Sequence, residues 1–240
     1  MGYLQEIGAW TQREVARRRE TRPFAGALHQ PGRVRVIAEI KRASPSEGPI
    51  APDADAAEVA RRYEAGGAAA ISVLTSGRDF AGSLLDLERV RAVTDLPLLA
   101  KDFFVDPYQV VEARAHGADA ILVLLALVED SLAADLIQAA EDHQMDVLCE
   151  VHDEAELARA LALGCPLIGV NARNLGTLGV EPTAQRRLLQ SVPAGFVTVA
   201  ESGIASRADL DAAGEAGASA ALVGTALMRN PALLEELTRP

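Results

Sequence analysis

Gly117-Ala-Asp-Ala-Ile-Leu-Val-Leu-Leu125 opens on a glycine and, from Ala120 onward, contains only aliphatic residues. A strand with one wet face alternates apolar and polar side chains. A strand that is aliphatic on both alternating faces must be covered on both sides, as in a parallel sheet clothed by helices. With the run at 120–125, similar short runs occupy 35–40, 69–74, 96–100, 147–149, 166–170, 196–200 and 220–223. The longest apolar stretch, 120–128, is about half of what a membrane span requires.

Helical patterns separate the runs, at 54–64, 84–93, 107–116, 132–143, 154–163, 183–191, 207–216 and 231–238. Ser83 precedes the second, Asp153 the fifth and Ser206 the seventh, while Pro182 opens the sixth. These residue types start helices, because their side chains cap free backbone N–H groups or, for proline, need none. Strand–helix pairs in strict alternation predict an α/β fold, a (β/α)8 TIM barrel. A weak repeat agrees. Gly66-Gly-Ala-Ala-Ala-Ile71, Gly117-Ala-Asp-Ala-Ile121, Gly164-Cys-Pro-Leu-Ile168 and Gly217-Ala-Ser-Ala-Ala221 recur about every 50 residues, each before an even-numbered strand. Glycine just past a helix end explains each mark. An open doubly wound sheet is the alternative, and no Gly-x-Gly-x-x-Gly follows the first strand to support it. Residues 1–33 stand outside the repeat. There, 4–19 reads as a charged helix and 23–32 as a connector, so a helical extension precedes a barrel domain at 34–240 and either caps its bottom or crosses its mouth.

Composition narrows the partners. A net charge of −11 opposes nucleic acid and anionic membrane as main partners, since both require basic surfaces. Aromatic residues make up only 4% of the chain, so the core is aliphatic. Cys149 and Cys165 read as small core residues in a reducing compartment, without disulfide or zinc spacing. The histidines are scattered, so no metal is expected. The N-terminus shows no signal-peptide core, and the surface no obvious apolar patch. The expectation is a cytoplasmic monomer.

Of the 23 basic residues only Lys41 and Lys101 are lysines. Each stands at the polar end of an apolar run, in Val36-Ile-Ala-Glu-Ile-Lys41 and Leu98-Leu-Ala-Lys-Asp102. Arginine cannot give up its proton in a protein, whereas a lysine can. Barrel active sites form at the C-terminal ends of the strands. Those ends offer Glu39 and Lys41, Lys101 and Asp102, Glu150, Asn171 and Arg173, Glu201 and Ser202, and Gly224 and Thr225. The second and fourth ends are apolar or nearly so, at Leu74-Thr75 and Leu124-Leu125. Such a rim suits a substrate with anionic ends and a flat apolar middle. Glu201-Ser-Gly-Ile-Ala-Ser206 and Leu222-Val-Gly-Thr-Ala-Leu-Met228 each place a glycine just after a strand, where barrels commonly hold a phosphate. Ser44-Pro-Ser46 adds hydroxyls near the same rim.

These motifs resemble the indole-3-glycerol-phosphate synthase family. Glu39-Ile-Lys-Arg-Ala-Ser-Pro-Ser46 matches its first-strand signature. Phe80-Ala-Gly-Ser83, Leu99-Ala-Lys-Asp-Phe103, Glu150-Val151, Gly169-Val-Asn-Ala-Arg-Asn-Leu175, Glu201-Ser-Gly-Ile204 and Gly224-Thr-Ala-Leu-Met228 follow in order. The resemblance implies ring closure, decarboxylation and dehydration of 1-(o-carboxyphenylamino)-1-deoxyribulose 5-phosphate, a small-molecule substrate, in tryptophan biosynthesis, without cofactor. It implies that Lys101 is the acid that drives ring closure and that Glu150 is the acid/base of dehydration. Lys41 nearby would lower the Lys101 pKa and the carboxylates close by would oppose that, so the residues leave the net sign open. Glu39 and Lys41 sit together, and Asn171 and Glu201 orient the substrate. Arg173 takes the anthranilate carboxylate, and Phe80, Phe103, Leu124 and Leu175 meet its ring. Ser44 and Ser202 bind substrate, while Gly203, Gly224 and Thr225 hold the phosphate. Glu47 departs from the family pattern, standing where a basic residue is frequent. Phosphoribosylanthranilate isomerase, the neighbouring barrel enzyme, would instead want a cysteine near the end of the first strand. A barrel that only binds a sugar phosphate would have no need of Lys101 and Glu150 together.

Overall fold

The computed structural model describes residues 2–239. Its parallel strands are β1 (Arg35–Ile40), β4 (Ala70–Leu74), β5 (Leu98–Lys101), β6 (Ala120–Leu124), β7 (Asp146–Val151), β8 (Leu167–Asn171), β9 (Val197–Glu201) and β10 (Ala220–Val223). Each pairs with the next along the chain, and β1 pairs with β10, closing the barrel. Around it run α3 (Ala56–Ala65), α4 (Leu84–Arg91), α5 (Pro107–Ala115), α6 (Asp130–Asp142), α7 (Glu154–Ala162), α8 (Pro182–Ser191) and α9 (Arg207–Glu215). Two short helices, α10 (Thr225–Arg229) and α11 (Leu233–Thr238), close the last unit.

The helix starts follow from their caps. Ser83, Asp153 and Ser206 accept from the backbone N–H of Asp86, Glu156 and Asp209, and Pro182 opens α8. Gly67, Gly117, Gly164 and Gly217 end their helices at positive φ, between +75° and +104°, where a side chain would be strained. The third strand begins at Leu98 rather than at 96, because Pro97 has no N–H to give the ladder.

Alternation along the strands sorts the core into two layers. Val36, Ala38 and Ile40, like Ile121, Val123 and Leu125, face outward to the helices. Ile37, Leu99, Ala120, Leu122, Leu148, Leu167, Val199 and Leu222 face inward and fill the barrel. The same two-residue step carries the inward row on to Glu39, Lys101, Leu124, Glu150, Asn171 and Glu201 at the C-terminal end.

The connector at 23–32 contains a helix that its length did not suggest. This is α2 (Phe24–Leu28), and it plugs the N-terminal end of the barrel. Phe24 and Leu28 are fully buried against the inward row, each worth about 1.5–3 kcal/mol of burial. Asp146 accepts from the N–H of Ala25, and Asp119 from that of Arg22, so the plug is hydrogen-bonded to the strand starts. The segment thus caps the bottom. α1 (Tyr3–Arg19) precedes it. Tyr3, Leu4, Ile7, Trp10 and Val15 of α1 are exposed apolar side chains, set among the charged ones that dominate the helix.

A second correction concerns the cysteines. Cys149 and Cys165 form a disulfide, with Cα atoms 6.4 Å apart. Cys149 points outward from β7, and Cys165 lies at the entry to the adjacent β8. Their 16-residue separation conceals this, because α7 returns the chain to the neighbouring strand. No helix among the described residues is long and apolar enough to cross a membrane.

Candidate active site

A cavity of about 450 Å³ opens at the C-terminal end of the barrel. Its floor is a cluster of charge. Lys101 Nζ donates to Glu201 Oε2 at 2.6 Å and reaches Glu150 Oε2 at 3.4 Å. Asn171 Nδ2 donates to Glu150 Oε1 at 2.7 Å. Lys41 Nζ pairs with Glu39 Oε1 at 3.0 Å. Strand register explains the grouping, since Glu150 stands beside Gly169 and Asn171 beside Glu201.

Two glycines make room for this cluster. A Cβ on Gly169 would collide with Glu201 Oε1, and one on Gly224 with Glu39 Oε1. Both glycines occupy inward positions, and the carboxylates of neighbouring strands lie in the space they leave. A bulkier residue at either position would push a carboxylate out of the floor.

The charges are unequally placed. Glu201 is fully buried, and its Oε1 has no hydrogen-bond partner. Burial raises its pKa to about 7, aided by Glu150 and Glu39 and opposed by Lys101. Burial acts on Glu150 in the same direction, yet Lys101, His152 and Asn171 outweigh it and hold this carboxyl down at about 2. Lys101 stands nearer Glu201, but Glu150 has three stabilising neighbours, so Glu150 keeps the negative charge. Lys101 itself loses from burial and gains more from Glu201, Glu150 and Glu39, so its pKa rises. The sign that the residues alone leave open is thus set by carboxylates, not by a second ammonium.

The walls divide by chemistry. Leu74, Leu122 and Leu124 line one side, and Phe80 and Phe103 meet there with ring centroids 6.2 Å apart. Leu175 and Arg173 come from the loop after β8. The Arg173 guanidinium donates to the Leu178 carbonyl at 2.7 Å, and the Arg173 backbone N–H donates to Asn171 Oδ1 at 2.9 Å. Opposite lie Ser202, Gly203, Gly224 and Thr225. Ser202 and Gly203 both have positive φ, 66° and 79°. Ser202 has no glycine's freedom there, and such backbone outliers cluster at ligand-binding turns.

Every expected site residue except Ser44 thus lines one cavity. Ser44 does not. It is buried in the short β2 (Ala43–Ser44), which pairs with β3 (Gly48–Pro49), and its Oγ faces Ser46 Oγ at 3.4 Å. The turn of this hairpin instead brings Glu47 to the cavity, where it pairs with Arg229 Nη2 at 2.6 Å. Arg229 escaped the sequence reading, although it directly follows the Gly224–Met228 motif. His152 also escaped it. It lies two residues beyond Glu150 on the inward row, and that period-2 spacing was the available signal.

The chain matches the family model for indole-3-glycerol phosphate synthase over residues 4–239. Among curated relatives, the indole-3-glycerol phosphate synthase of Micrococcus luteus is 44% identical, over 99% of this chain and 96% of its own. That of Rhodospirillum rubrum is 49% identical, over 95% and 94%. Solved structures of similar shape include a thiamine phosphate pyrophosphorylase from Pyrococcus furiosus, with TM-score 0.63, 18% identity and coverage of 90% and 96%. An N-acetylmannosamine-6-phosphate 2-epimerase from Clostridium perfringens gives TM-score 0.64, 16% identity and coverage of 91% and 96%. The structural likenesses speak to the barrel alone; the sequence matches are specific, and by them the chain belongs to the indole-3-glycerol phosphate synthase family, carboxy-lyases of tryptophan biosynthesis.

Proposed function

We propose that the cavity converts 1-(o-carboxyphenylamino)-1-deoxyribulose 5-phosphate into indole-3-glycerol phosphate, CO2 and water, with side chains alone as catalysts. The observation that carries this reading is the Lys101 ammonium held between Glu150 and Glu201, with an apolar wall on one side and glycine-bearing turns on the other. The anthranilate ring lies against Phe80, Phe103, Leu124 and Leu175, with its carboxylate towards Arg173. The phosphate meets Ser202, Gly203, Gly224 and Thr225.

Lys101 then faces the ketone. Its surroundings keep it protonated, so it arrives as the acid. Carbonyl oxygen displaces a carboxylate contact and accepts the proton as the ring carbon attacks. Charge developing on that oxygen is met by a fixed cation, the main source of stabilisation in such a dry site. Loss of CO2 restores aromaticity. In dehydration, Glu150, ionised and bonded to Asn171, takes the ring-carbon proton, and Lys41 protonates the departing hydroxyl. Glu201, near 7, is suited to pass a proton at neutral pH, and with Asn171 it orients the substrate. Glu39 holds Lys41. A net charge of −11 leaves nucleic acid outside this reading.

Product fluorescence in chelator-containing buffer tests it. Wild type should form indole-3-glycerol phosphate, and Lys101→Ala should lose about 10²- to 10⁴-fold of kcat. Folded wild-type protein without turnover would refute the assignment.

A further inference from the structure

Glu150 has a neighbour that lies outside the substrate cavity. His152 Nε2 stands 3.2 Å from Glu150 Oε1, and His152 Nδ1 stands 3.0 Å from Glu156 Oε2. The same Glu156 oxygen accepts the backbone N–H of His152 at 2.8 Å. Glu156 lies in the first turn of α7, where Asp153 caps its own N–H. The imidazole is thus fixed between a floor carboxylate and a helix-start carboxylate. It lines a second cavity of about 330 Å³, which shares Asn171, Arg173 and Leu175 with the first.

The geometry decides the protonation state. The Nδ1 contact is with a carboxylate oxygen, which can only accept, so Nδ1 carries a proton. In a neutral ring, an unprotonated Nε2 would then lie buried 3.2 Å from the Glu150 carboxylate, lone pairs facing a negative charge and no hydrogen bond made. Only a second proton makes that contact attractive. A helix-start role alone needs Glu156 and the backbone; it does not need an imidazolium against Glu150.

The charge count points the same way. Glu39, Glu150 and Glu201 face Lys41 and Lys101 at the floor, and His152 is the third cation. We propose that His152 is a positioning residue: as an imidazolium clamped by Glu156, it keeps Glu150 ionised and turned towards Lys101 and Asn171. Without it, three floor carboxylates share two ammoniums, and Glu150 loses a neighbour that holds it ionised.

The inference rests on the proposed role of Glu150, and it carries a pH signature. Burial lowers the His152 pKa, but Glu150 and Glu156 outweigh that and raise it to about 9. The groups facing this imidazole are Glu150 from β7 and Glu156 from α7; those facing Glu150 are Lys101, Glu201, Asn171 and His152. The imidazolium is present below its pKa and lost above it, so the clamp fails on the alkaline side.

Three variants and one titration test this. In wild type, kcat should fall as pH rises through about 9. Glu156→Gln keeps a hydrogen-bond acceptor but removes the charge, so this alkaline limb should move down by about one pH unit or more. His152→Gln should lower kcat about tenfold at neutral pH with little change in KM, because His152 does not line the substrate cavity. NMR titration of the His152 ring reads the clamp without turnover, and its pKa should drop in Glu150→Gln. Wild-type kcat in His152→Gln, an unmoved limb in Glu156→Gln, or a ring titrating near 6.5 in wild type would each overturn the proposal. An active Glu150→Gln enzyme whose ring pKa still drops would overturn the catalytic role of Glu150 instead.

Discussion

At the N-terminal end of the barrel, the buried Asp119 carboxylate accepts from the backbone N–H groups of Arg22 and Leu98 and from the Arg91 guanidinium, each at 2.9 Å. At the C-terminal end, the equally buried Glu201 meets Lys101 with one oxygen and leaves the other without a partner. The first carboxylate ties backbone to backbone and fixes the α2 plug to the strand starts. The second faces other ionisable side chains across a cavity. Buried charge at a strand end is therefore not by itself a sign of chemistry. The sign is buried charge that borders a cavity with hydrogen-bonding capacity left over for a substrate.

This contrast is open to being broken. Phe24→Ala removes the main apolar group of the plug, and should cost about 3–5 kcal/mol of stability, read by denaturant unfolding, while folded protein keeps its kcat. A parallel loss of kcat at unchanged stability would put the plug in the chemistry. Asp119→Ala leaves two N–H groups and the Arg91 guanidinium without this acceptor, and should cost about 3 kcal/mol, again with kcat retained in the folded fraction. The smallest effect is expected at the mouth. Glu47→Gln frees Arg229 and removes a carboxylate facing the phosphate side, so KM should fall by about two- to fivefold, more at low salt, with kcat unchanged. An increase in KM would mean that the pair holds the hairpin in its working position.

The barrel was legible because two periodicities carry it. Runs such as 120–125 state that both faces are buried, and the two-residue step from Leu99 to Lys101, or from Leu148 to Glu150, states which charges reach the mouth. Glycine marks such as Gly117 gave the helix ends. Contacts between separate strands were not legible. Nothing in the chain says that Gly169 and Gly224 leave space for Glu201 and Glu39, or that Cys149 meets Cys165 beyond α7. The sign of the Lys101 shift depends on distances to three carboxylates on three other strands, and no spacing records them. Ser44 shows the same limit: hairpin pairing sets its hydroxyl beside Ser46 and brings Glu47 to the cavity.

The most direct test sets the two ends against each other in one experiment, measuring kcat and unfolding free energy for Lys101→Ala and Phe24→Ala beside wild type. The two losses should separate: Lys101→Ala should lose about 10²- to 10⁴-fold of kcat yet stay folded, and Phe24→Ala should lose stability yet turn over normally when folded. A Lys101→Ala protein that still forms indole-3-glycerol phosphate at the wild-type rate would contradict the account at its centre.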